Sequence, residues 1–230
     1  MDLTTEGRYR VLGRPRDPDE LLLVELSADA STADAPTAGG EGPDGAAPPD
    51  ESYDPTYVDA TGYEGELAAT VDSLAAGNVV DADLTWRDGD PRFEDVSVVA
   101  ETTFTFADGV TGMFEAAKQA WMVAEAENEG MNGRVTRNTD GDPNGALYVF
   151  AKQSGARDLF EEFRDGVTPL EPLVRRVDVG EGSVDVPPES EQPREVFVLR
   201  PLDEPFLAVY IVFDRDGMLA KTVRDTYVRD

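Results

Sequence analysis

Forty-eight carboxylates against twenty basic side chains give this 230-residue chain a formal net charge of −28. That charge limits every compact state the chain can adopt. In dilute buffer the folded form repels itself. At 1 M salt the Debye length is only about 3 Å, and the repulsion is screened. The chain is therefore expected to fold in molar salt, with its carboxylates spread over the exterior and holding water and hydrated cations. The basic residues agree: Lys118, Lys152 and Lys221 are the lysines, and the rest are arginines. The reading is a cytoplasmic protein of an extreme halophile. Low hydrophobicity with high net charge is also the signature of disorder. Here 40% apolar residues, grouped in periodic segments, point to a core instead.

The sequence contains no cysteine and no histidine. Disulfides, thiolate nucleophiles and cysteine-held metals are excluded. So are the commonest general base and the commonest metal ligand. Residues 1–16 are charged throughout, unlike a secretory signal. No apolar run approaches the ~20 residues of a membrane span. A soluble protein without membrane attachment is expected.

Along the chain, Gly7–Leu12 and Glu20–Leu26 read as strands joined by the turn-rich Arg14–Asp19. Residues 28–55 are Ala, Gly, Pro, Asp, Glu, Ser and Thr, with Tyr53 and no basic residue, and read as a disordered acidic loop. Thr56–Ala60 is a short strand. A helix is expected over Gly62–Ala76, with Thr61 and Glu64 as a capping box. Val80, Ala82, Leu84 and Trp86 alternate with polar residues as a strand, and Phe93–Phe106 reads as one strand running back. This order, three strands, a helix and two strands, is that of the five-stranded oligonucleotide/oligosaccharide-binding barrel.

The second half opens with an amphipathic helix capped by Thr111 and ended by Gly130, with Met113, Phe114, Ala117, Ala120, Trp121 and Ala124 on its apolar face. A polar stretch, Met131–Gly145, precedes a strand at Ala146–Ala151. Two short helices follow, at Ala156–Arg164 and from Thr168-Pro-Leu-Glu171. Residues 178–194 read as a flexible linker. Glu195–Arg200 is a strand, and Phe206–Phe213, apolar on both faces, a central one. Met218–Tyr227 has both a helical stripe and a preceding turn signal. The reading adopted is a strand closing an antiparallel hairpin. The fold class is α+β, with a β-rich domain over 1–106 and an α+β domain over 107–230.

Three groups of residues are candidates for chemistry. Arg8, Arg10, Arg14 and Arg16 surround Tyr9, and in a binding barrel such cations and an aromatic would grip a single-stranded nucleic acid. Acidic neighbours, among them Asp17, Asp19 and Glu20, also offer these arginines intramolecular ion pairs. Asp140-Gly-Asp-Pro-Asn-Gly145 opens like a calcium loop, which makes Asp140, Asp142 and Asn144 candidate ligands of a divalent cation. The match fails at its twelfth position, Ala151, and a solvated turn is the alternative. Acidic turns such as Asp88-Gly-Asp90 and Asp214–Asp216 could supply paired carboxylates for acid–base work. There is no phosphate-binding glycine loop and no nucleophile elbow. Ser154 lacks an ordinary base, and Lys152 reads as a surface lysine at a strand end. No cofactor is expected beyond that candidate cation.

Gly77–Trp86, Asp108–Phe114, Thr139–Gly145 and Val212–Gly217 together resemble an uncharacterised family of haloarchaeal proteins of unknown function. The resemblance implies a haloarchaeal cytoplasmic origin and assigns no activity. On the residues alone, the expected role is a non-enzymatic binding or interaction protein, with a protein or a nucleic acid as partner. The alternative is a carboxylate-based hydrolase assisted by a divalent metal.

Overall fold

The computed structural model describes residues 3–26, 54–87, 89–152, 155, 157–178 and 186–228. These form two five-stranded sheets and five helices, an α+β arrangement.

The first sheet contains β1 (Leu3–Gly13), β2 (Glu20–Glu25), β3 (Thr56–Asp59), β4 (Val79–Arg87) and β5 (Asp90–Ala100), with helix α1 (Gly65–Ser73) between β3 and β4. β1 pairs antiparallel with both β2 and β4, β2 with β3, and β4 with β5. A single parallel pairing, Asp59 opposite Arg92, joins β3 to β5, so the order β1-β2-β3-β5-β4 returns to β1. Alternation sends Tyr9, Val11, Leu21, Leu23, Val58, Val80, Ala82 and Leu84 into one core, with Val71 of α1 and Leu74 just after it. β5 departs from strict alternation. Phe93 and Val96 both reach this core although three residues apart, because the β4–β5 register slips between Asp83 and Leu84 and leaves Glu94 as a bulge.

The second sheet contains β6 (Thr103–Val110), β7 (Met131–Arg137), β8 (Pro143–Ala151), β9 (Glu195–Pro201) and β10 (Phe206–Val212), in the order β6-β9-β10-β8-β7. Only β6 and β9 run parallel. Helices α2 (Glu115–Glu127) and α5 (Met218–Tyr227) pack on one face, and α3 (Leu159–Arg164) and α4 (Glu171–Asp178) on the other. With helices on both faces and strands on both sides, β10 is buried along its whole length, as its continuous apolar run predicts.

Several expectations are corrected. Phe93–Phe106 is not one strand: β5 and β6 belong to different sheets, and the chain passes between them at Glu101 and Thr102. Thr103–Phe106 therefore lies in the second sheet. Met218–Tyr227 is the helix α5, not a hairpin strand, because β10 already has β8 and β9 as neighbours and offers no edge. Its buried residues Ala220, Val223 and Tyr227 follow helical spacing. The polar stretch after Gly130 contains β7, an edge strand whose outer side needs no apolar pattern. Helices α1 and α2 start later than expected, at Glu64 and Phe114, and neither N-cap side chain bonds to the helix. α3 does have a side-chain cap, Asp158, which accepts from the backbone N–H groups of Phe160 and Glu161.

Of the expected acidic loop 28–55, residues 28–53 lie outside the described residues, as do Asp88, Ser154 and 179–185 of the expected linker. Two of its described residues make contacts. Val186 rests on the α3/α4 core, and the Glu189 side chain is only 15% exposed.

Candidate functional site

The five N-terminal candidates do not share one surface. Strand alternation turns Tyr9 into the first core and Arg8 and Arg10 outward. Arg8 is exposed and bonds both oxygens of Asp81 on β4, at 2.7 and 2.9 Å. These hydrogen bonds hold the guanidinium above its ordinary pKa and the carboxyl below its own. Burial raises the Tyr9 phenol. Arg14 donates to the carbonyls of Pro18 and Val71. Arg16 donates to both carboxylate oxygens of Glu20 through Nε and Nη2 and lies 4.2 Å from the Tyr57 ring centre.

Arg10 is wholly buried at the junction of the two sheets. Its guanidinium bonds Glu171 at the start of α4 at 2.7 and 3.3 Å. It also bonds Glu189 at 2.7 and 2.9 Å, the Gly77 carbonyl at 2.9 Å, and stacks 5.7 Å from the centre of Phe104. Burial opposes its charge, but the two glutamates outweigh burial and raise its pKa. Burial alone would raise the Glu189 carboxyl; Arg10 and the Thr102 hydroxyl pull it below its ordinary value. The surrounding polar groups complete the joint. The Thr102 hydroxyl donates to Glu189 and accepts from the Arg194 N–H, and Asn78 donates to the Thr102 carbonyl. Phe104 N–H bonds the Ala76 carbonyl at 2.8 Å. Gly77, at φ +100°, allows this approach: a Cβ there would lie 2.7 Å from the Phe104 nitrogen. The joint also covers β2, because a Cβ on Gly166 would lie 2.7 Å from the Leu22 side chain.

Asp140, Asp142 and Asn144 sit in and beside the β7–β8 turn and do not converge. The Asn138 side-chain oxygen accepts from the Asp140 and Asp142 N–H groups, and its amide donates to Asp142. Asn144 instead accepts from Thr136, toward the α2/α5 face. Among the described residues no three acidic side chains are grouped to hold a metal ion.

A larger charged group forms where β6, β8 and β9 end. Arg200 of β9 bonds both oxygens of Asp108, together with Asp158 and Glu161, and lies 4.4 Å from the centre of Phe160. These bonds raise the guanidinium and lower the Asp108 carboxyl. Lys152 donates to the Pro201 carbonyl, and burial, then Arg200, lowers its pKa. Beside this group lies an open cavity of about 210 Å³ between Phe106–Thr111 and Thr226–Val228. Ligand pockets usually occupy roughly 300–1,000 Å³. Among the described residues Asp108 is the one carboxylate lining it. Elsewhere, burial raises the Glu195 carboxyl, which is held between Thr105 and Arg224. Glu20, four residues from Arg16, is legible in sequence as a partner, but those of Arg10 are not, since it meets residues 161 and 179 positions away.

The model of a family of unknown function, DUF6663, matches residues 1–230. The chain belongs to the DUF6663 family. Comparison with curated proteins and with solved structures finds no match. Among the described residues, no helix is long and apolar enough to cross a membrane.

Proposed function

We propose that this DUF6663 protein is a non-enzymatic binding protein of the haloarchaeal cytoplasm, and that its partner is another protein. The disposition of the carboxylates carries the reading. Acid–base catalysis needs two groups with separated pKa values facing one cleft. Here, among the described residues, the cavity is lined by one carboxylate, Asp108, whose pKa Arg200 lowers. The hydrolase reading gains no support from that arrangement.

The charge of −28 and the preference for arginine support a salt-rich cytoplasm. The ring order β1-β2-β3-β5-β4, with α1 between β3 and β4, supports a likeness to the oligonucleotide/oligosaccharide-binding barrel. Such barrels grip nucleic acid over their second and third strands. Leu22 and Val24 on β2 are buried, and Arg8, Arg10 and Arg16 are neutralised by Asp81, Glu171, Glu189 and Glu20. This favours a protein partner over a single strand.

The test is affinity capture from a halophile lysate held in molar KCl. One protein recovered in stoichiometric amount is the expected result. Recovery of nucleic acid, or turnover of phosphoester, glycoside or peptide substrates by the pure protein with added magnesium or manganese, would overturn the reading.

A further inference from the structure

The second sheet has two edges, and the fold treats them differently. β6 is covered at its start, where Phe104 N–H bonds the Ala76 carbonyl. Its end faces the open cavity bounded on the far side by Thr226–Val228. Among the described residues β7, at the other edge, pairs with β8 alone.

The register fixes which backbone groups of β7 look outward. Ala151 N–H bonds the Gly130 carbonyl at 2.8 Å, which makes that pair a hydrogen-bonded one. Antiparallel pairs alternate. Asn132, Arg134 and Thr136 therefore spend their N–H and C=O on β8, opposite Val149, Leu147 and Gly145. Met131, Gly133 and Val135 direct theirs away from the sheet. β8 confirms the phase: Lys152 N–H bonds the Pro205 carbonyl, so its alternate residues face β10. An unpaired edge invites another strand, and proteins usually blunt it with proline, a bulge or a cover. β7 has no proline, and its register runs unbroken from Met131 to Thr136.

The charge on this edge is opposite to that of the molecule. No acidic residue occurs between Gly130 and Thr139, in a chain with 48 of them. Arg134 and Arg137 are exposed. Arg137 donates to the Gly141 carbonyl, and among the described residues neither arginine has a carboxylate partner. The nearby Asp140 and Asp142 belong to the turn that follows, where the Asn138 side chain accepts from both of their N–H groups.

We propose that the free edge of β7 is a docking strand for an acidic, extended segment of a partner protein, which adds a sixth strand to the second sheet. Its backbone would pair with Met131, Gly133 and Val135, and its carboxylates, on whichever face they lie, would meet Arg134 or Arg137, which strand alternation puts on opposite faces of the sheet. A second copy of this chain suits the edge less well, because antiparallel self-pairing sets arginines against arginines. In molar salt, charge contributes register more than affinity, since screening acts within about 3 Å. Backbone pairing supplies the strength. This inference rests on the binding reading above.

The probe is a fluorescent decapeptide of alternating valine and glutamate, with a valine–lysine decapeptide as control, measured by anisotropy in molar KCl. The expected result is saturable binding of the acidic peptide only. Val135→Pro removes an outward donor and should weaken binding roughly tenfold or more. The pair Arg134→Glu and Arg137→Glu should weaken it severalfold. Because the proline variant can fail to fold, amide exchange on the wild-type chain is the second measurement. The peptide should slow Met131, Gly133 and Val135 at least roughly tenfold and leave Asn132 and Arg134 unchanged. No binding, equal binding of both peptides, or no selective protection overturns the proposal. A natural partner captured equally well by wild type and edge variants overturns this inference alone. Turnover or recovered nucleic acid overturns the binding reading beneath it.

Discussion

Replacing Arg10 with methionine removes one buried charge and strands two others. An exposed ion pair contributes about 0–1 kcal/mol. Arg10 is wholly buried, and the Glu171 and Glu189 side chains are 11% and 15% exposed. Breaking a buried pair by removing one partner costs about 3–5 kcal/mol. Two contacts soften the loss: Arg175 stays 3.3 Å from Glu171, and Thr102 stays 2.8 Å from Glu189. Arg10→Met is therefore expected near the lower end, about 3 kcal/mol. In a chain of this size that lowers the melting temperature by roughly 6–12 °C. Urea denaturation in molar KCl, followed by tryptophan fluorescence, measures it. Trp86 reports on the first sheet and Trp121 on the second, so a shared midpoint shift shows that the joint couples them. Replacing Arg10, Glu171 and Glu189 together with methionine should recover most of the loss, because the stranded charges go too. The Glu189 carboxyl lies below its ordinary value in the folded protein. Its contribution is complete above the unfolded range near ~4.3 and is lost as pH falls through the folded value. That acid-side loss should shrink in Arg10→Met. A single variant within about 1 kcal/mol of wild type would falsify the argument that burial gives this pair its worth.

Dilution from molar to millimolar KCl should unfold the chain, since a net charge of −28 then acts unscreened; an unchanged circular dichroism spectrum would contradict this. Gly77→Ala forces a Cβ against the β6 backbone at positive φ. It should cost about 1–3 kcal/mol in urea denaturation, where an ordinary exposed turn glycine costs less. Calcium added in molar KCl should release no heat and leave the melting temperature unchanged, because Asn144 turns away from Asp140 and Asp142; a saturable isotherm abolished by Asp140→Asn and Asp142→Asn would reverse that conclusion.

The strands with one buried and one exposed face were legible because a period of two survives in them. Val80, Ala82 and Leu84 show it without interruption. The same reading failed where two strands followed each other without a turn signal. Val96 and Phe104 belong to different cores, and nothing in Glu101-Thr102 marks the passage between them. β7 was missed because an edge strand half covered by one neighbour carries little apolar pattern. α5 was misread because a turn signal such as Asp214–Gly217 says that the chain reverses, and does not say whether a strand has room beside β10.

The candidate sites divide in the same way. Sequence placed Arg8, Arg10, Arg14 and Arg16 in one short stretch and allowed either a nucleic-acid grip or ion pairing. Arg16 found its partner nearby in Glu20, whereas the partners of Arg8 and Arg10, from Asp81 to Glu189, lie far along the chain. Charge, the absence of histidine and cysteine, and the periods of individual segments are properties of composition and local order, so the sequence alone determined the net charge, the excluded chemistry and most elements. Which strands share a sheet, which edge is left open and which charge is buried depend on contacts between distant residues. Only packing decided those, because the energy of bringing Arg10 to Glu171 and Glu189, or of leaving β7 uncovered, exists nowhere in a local stretch of chain.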